Sequence, residues 1–138
     1  MEVKVFLTGD ALEIDGVKYH HHSNGGGLVA DTATVAETVY VGPFARVFGD
    51  ARVSDSVKIF GNVLVSGNAK IYGAAQVSQD AKVYGNAKVY GNARVYGSAQ
   101  VFENAHVFDN VEVCGSANIR RDAKVHGNAK ISENVLIS

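Results

Sequence analysis

The stretch Ala81–Gln100 reads AKVYGNAKVYGNARVYGSAQ, in which a small residue, a spacer, a valine, an aromatic ring and a Gly-Asn or Gly-Ser pair return every six residues. Outward from this stretch the register holds. Stepping by six from Val29, every position up to Ile137 is Val or Ile, 19 sites in all. Two residues before these sites, from Ala33 to Val135, lie 18 positions filled by Ala at 13 and by Val at 5. Two inward residues separated by one outward residue give the period-two alternation of a strand with one buried face. Strands this short bury nothing alone. Stacked as coils they do, because each turns its Val and Ala side chains onto those above and below.

Between the strands Gly recurs at nine equivalent positions, among them Gly49, Gly67, Gly85 and Gly127. Asn follows at eight, including Asn62, Asn68, Asn86 and Asn128. Both residues tolerate positive φ better than branched ones, so Gly and Asn are expected to supply the bend every six residues. A period of six is incompatible with collagen, coiled-coil and ankyrin repeats, whose periods are three, seven and thirty-three.

The unit Ala-x-Val-x-Gly-Asn resembles the hexapeptide-repeat left-handed β-helix family, the trimeric LpxA-like superfamily that includes many bacterial acyltransferases. The resemblance covers residues 29–138. It implies an all-β fold, a single-stranded left-handed parallel β-helix with three faces, 18 residues per coil and about six coils. The hand comes from the resemblance; at ~4.8 Å per coil the prism would be roughly 29 Å long.

Residues 1–28 lack the repeat and form a separate N-terminal unit before the coils of residues 29–138. VKVFL, ALEI and GVKYHHH read as short strands separated by TGD and by the Asp15-Gly16 turn, which predicts a small antiparallel, hairpin-like β cap over the first coil. The Gly-rich linker SNGGGL, Ser23–Leu28, lets the chain swing from ribbon to coil. At the other end ISENVLIS stops in mid-pattern. An edge left open there would be covered by a further copy, sealed by a tail domain outside this sequence, or tolerated as a frayed last coil; a homo-oligomer is the favoured expectation, through end-to-end contact over Ile131–Ser138 or as a side-by-side trimer.

The totals constrain the partner only loosely. Thirteen Lys and Arg face fourteen Asp and Glu, for a net charge of −1, which carries no nucleic-acid footprint. No apolar run approaches the ~20 residues of a membrane span. One cysteine and no basic-then-apolar N-terminal region fit a cytoplasmic protein without disulfides.

Two outward rows stand out. After the Val or Ile, aromatic residues recur at Phe48, Phe60, Tyr72, Tyr84, Tyr90, Tyr96, Phe102 and Phe108, spread over all three faces. They read as ladders that shield the corners, or as an interaction surface in which Tyr72, Tyr84, Tyr90, Tyr96, Phe102 and Phe108 take part, with Ile131 and Ile137 at the end coil. Before the Val or Ile, Arg52, Lys70, Lys88, His106 and Lys124 fall in one row. That row suits solvation or, alternatively, an anionic ligand.

The resemblance also brings an activity. Relatives of this fold include acyltransferases that hold acyl-CoA between coils of a trimer and use a histidine as general base, and GPFARV, Gly42–Val47, is a repeat form common among them. The long loop that usually interrupts their coils has no counterpart after Val29. If the chain transfers acyl groups, His106 beside the aromatic rows is the residue expected to act. Strand alternation puts His20 and His22 on one face and His21 on the other, giving two candidate metal ligands, fewer than a structural zinc site needs. Trimeric relatives with carbonic anhydrase activity hold zinc on their coils, whereas these histidines precede the coils. Cys114 is expected outward and inert. No cofactor motif is present. The reading is a non-catalytic rigid scaffold or assembly module, with an acyltransferase-like enzyme and a carbohydrate- or surface-binding module as alternatives.

Overall fold

A computed structural model describes residues 5–8 and 11–138. Four longer strands come first: β1 (Val5–Thr8), β2 (Ala11–Ile14), β3 (Val17–His21) and β4 (Leu28–Ala30). Two-residue strands then follow at six-residue steps, beginning with β5 (Thr34–Val35), β6 (Tyr40–Val41) and β7 (Arg46–Val47) and ending at Leu136–Ile137. They wind into a single-stranded, left-handed parallel β-helix of about six turns with three sheets. The first sheet contains β4 and β7, the second β5 and the third β6.

Residues one coil apart are register partners, as Lys70 is of Lys88 and Ile71 of Val89. Most outward N–H groups donate to the carbonyl 17 residues ahead: Lys70 to Ala87 and Lys88 to Ala105, both at 2.9 Å. The inward Val, Ile and Ala residues form one continuous core, with Val83, Val89 and Val95 fully buried. Each such Val or Ile contributes about 1.5–3 kcal/mol by leaving water. The triangular interior is narrow, which is why the coil core uses only these short side chains and Ala.

The corners differ from the expectation for Asn. Positive φ belongs to the Gly positions, and from Gly49 onward, where Gly is missing, a residue with a full side chain takes that conformation: Asp55, Gln79, Glu103, Asp109, Arg121 and Glu133, with φ from 56° to 64°. Three of them use the side chain to offset the strain. The Asp55 carboxylate accepts the Gly73 N–H at 2.9 Å, Gln79 Oε1 that of Gly97 at 2.7 Å, and Asp109 that of Gly127 at 3.0 Å. Asn keeps negative φ and instead links coils through its amide, in chains such as Asn92 to Asn110 at 3.2 Å and Asn110 to Asn128 at 3.1 Å. In the first coil the Thr32 and Thr38 hydroxyls reach the Gly49 and Asp55 carbonyls, replacing the backbone N–H bond used by later corners.

The N-terminal ribbon adds to one edge. Strands β1, β2 and β3 are antiparallel, and β3 pairs antiparallel with β4, so the ribbon extends the first sheet. Tyr19 is buried at this junction, its hydroxyl accepting from the Arg46 guanidinium. The Gly-rich linker also docks. Gly27 N–H donates to the Val41 carbonyl, and Val41 N–H to the Asn24 carbonyl, each at 3.0 Å, so β6 has its free edge sealed. A Cβ on Gly25 would lie 2.1 Å from the Val41 oxygen, which excludes any larger residue from this contact.

Candidate functional site

The second sheet carries the most distinctive outer face. Its strands present Arg52, Lys70, Lys88, His106 and Lys124 as successive register partners along the axis. Beside this row the outward residue two positions on is Tyr72, Tyr90, Phe108 and then His126. These rings stack in parallel: Tyr72 on Tyr90 at 4.7 Å, Tyr90 on Phe108 at 5.0 Å and Phe108 on His126 at 5.3 Å between centroids. The spacing is the coil rise itself, so the ladder follows from the backbone repeat.

Neighbouring cations at coil spacing repel by about 1 kcal/mol even at the dielectric of water. On the third sheet such charges are balanced, since Glu112 lies 3.8 Å from Arg94 and 4.0 Å from Lys130. Among the described residues no cation of the second-sheet row has a carboxylate within 4.0 Å. His106 registers the resulting field: burial first, then Lys88 and Lys124, hold its pKa below the usual 6.5. Its ring packs edge-on against Tyr90, with centroids 6.4 Å apart. A general base oriented by a carboxylate is therefore not assembled around His106 among the described residues.

The three N-terminal histidines are held separately. His20 Nδ1 lies 2.9 Å from the Asp31 carboxylate, and His21 Nδ1 bonds the Gly26 carbonyl at 2.9 Å. His22 turns inward past the end of β3, where its Nε2 donates to the Val39 carbonyl at 2.8 Å. Strict alternation would have kept His22 beside His20. The break places His20 outside and His22 in the edge seal of the third sheet. No group of three or more His, Cys, Asp or Glu side chains able to hold a metal occurs among the described residues.

The other aromatic positions lie at different corners. Tyr84 stacks on Phe102 at 5.0 Å, and its hydroxyl donates to Gln100 at 3.0 Å. Tyr96 faces Cys114, and hydrogen bonding with that thiol, then burial and Glu112, push its pKa up to about 12. Cys114 occupies an outward register position as expected but is buried, a correction whose cause is the Tyr96 side chain of the coil before it. Ile131 and Ile137 are half-buried against the end of the core, with Leu136 exposed beside them. Sequence reasoning missed His126 as a rung of the ladder, although its register with Phe108 was available. It also missed Tyr40 and Phe44, which with Phe60 are exposed toward the N-terminal end of the third sheet and its corner.

Fold and faces together define a left-handed parallel β-solenoid with three sheets and 18-residue turns, of the general hexapeptide-repeat type. Within it, residues 87–103 match a family model described as the YdcK beta solenoid repeat. No curated protein matches the chain.

Proposed function

We propose that the chain is a non-catalytic rigid scaffold, a module that holds binding faces at fixed spacing and assembles with further copies of itself. The observation that carries this reading is the unbroken strand spacing from Tyr40–Val41 to Leu136–Ile137, which leaves no inserted loop to close over a substrate. Backbone bonds from coil to coil and a core without interruption make the unit stiff along its axis. Assembly would use the exposed Tyr40, Phe44 and Phe60 for side-by-side contact, or Leu136 and Val135 for contact through the end coil.

The competing reading is an acyltransferase of the LpxA-like superfamily with His106 as base. It has less support, because His106 is flanked by two lysines and edge-on to Tyr90. Light scattering of the wild type and of F44E and L136E variants, run beside an acyl-transfer assay with several acyl-CoA donors, tests both. The scaffold reading expects an oligomer dissociated by one of the two substitutions, and no turnover. A monomeric wild type, or turnover abolished by H106A, would overturn it.

A further inference from the structure

The second-sheet row has the form of a receptor for one long anion. Its four fixed cations, Arg52, Lys70, Lys88 and Lys124, with His106 as the rung between the last two, sit on five consecutive coils and so span about 19 Å in a straight line. The nearby corner carries Asp50, Glu103 and Asp122, yet none reaches within 4.0 Å of these cations. Asn68 and Asn86 on that same corner add a neutral amide pair, joined at 3.3 Å, beside Lys70 and Lys88. The other side of the row is the aromatic ladder, whose interior ring faces are covered by their neighbours in the stack.

The geometry points to a linear acidic polysaccharide, with one acid group per sugar, lying along the second sheet parallel to the solenoid axis. One sugar of an extended chain is close in length to one coil rise. An acid group on every sugar therefore stays in step with Arg52, Lys70, Lys88 and Lys124, passing His106 before the last of them. Other polyanions fit worse. Same-face side chains of an extended acidic peptide recur at ~6.8 Å and drift out of step within a few coils. Single-stranded nucleic acid gains affinity by stacking bases on open ring faces, and the interior faces of this ladder are filled. Among the described residues no register row carries acids on consecutive coils along its length, so the coils of a second copy do not supply the complement. This inference concerns one face only and stands apart from the scaffold reading.

The test is titration of the full chain with a short polygalacturonate, at low and high salt, against a neutral dextran, poly-L-glutamate and poly(dT). Two double variants with equal change in charge are compared: K70E/K88E on the second sheet, and K58E/K82E on the third and first. Both are checked for an unchanged circular dichroism spectrum. Salt-sensitive polygalacturonate binding is expected, weakened on the order of tenfold or more by K70E/K88E and little by K58E/K82E. No binding at low salt, equal loss in both doubles, or equal or tighter binding of poly-L-glutamate or poly(dT) would overturn it.

Discussion

Replacing Gly67 with Ala tests the corner geometry most sharply. Gly67 has φ +65°, and a Cβ there would lie 2.8 Å from the Gly85 nitrogen in the next coil. A non-glycine residue in the left-handed region costs about 1–2 kcal/mol, and relieving the contact adds up to about 1 kcal/mol. The sum, roughly 2 kcal/mol, lowers the melting temperature by about 7 °C for a chain of this length. Asp at the same position places a carboxylate where Asp55 has one, able to accept the Gly85 N–H as Asp55 accepts that of Gly73. That bond restores about 1 kcal/mol. Gly127 supplies a contrast, since its φ is +82° but a Cβ meets nothing within 4 Å, so G127A bears the conformational cost alone. Urea titration and thermal melts of the three variants give the order wild type, then G127A and G67D, then G67A. A G67A protein as stable as wild type, or a G67D protein no better than G67A, would refute the reasoning.

Further outcomes follow from the core and the titrating groups. Ile71→Ala, in a fully buried site, is expected to lose about 2–5 kcal/mol in urea unfolding, because the narrow prism cannot collapse onto the void. His106 is depressed below 6.5 by burial and by Lys88 and Lys124, so its contribution to stability is complete above 6.5 and declines as pH falls through that value toward the lower folded pKa. NMR titration of K88Q should show the His106 pKa moved upward, and H106Q should flatten that part of the pH–stability profile. Tyr96 titrates at about 12 against an ordinary 10.0, so its contribution is intact below 10 and lost as pH rises toward 12. Ultraviolet titration of C114A should bring that phenol back toward the ordinary value.

The sequence made the coil legible because its core tolerates so few residue types. Val, Ile and Ala at fixed register report three sheets and a prism, and the rows Lys70–Lys88 and Tyr72–Tyr90 follow from counting by 18. What counting misses is decided by contacts that have no period. His22 leaves the alternation of its strand because the Val39 carbonyl at the solenoid edge needs a donor. Cys114 is buried by the Tyr96 side chain of the previous coil. Asn recurs beside the bend, yet its amide serves the neighbouring coil while Asp, Gln, Glu and Arg take the left-handed position when Gly is absent. Composition alone ranks those residues poorly for such a conformation, and the hydrogen bonds of Asp55, Gln79 and Asp109 reverse the ranking locally.

Amide hydrogen exchange followed residue by residue tests the rigid scaffold most directly. Outward residues from Arg46 to Asn118, Asn104 excepted, donate to the next coil, and the account predicts that these amides share a high, nearly uniform protection. A fast-exchanging internal strand, above all at His106 and Phe108, whose amides donate to Ala123 and Val125, would reveal a moving part and contradict the scaffold.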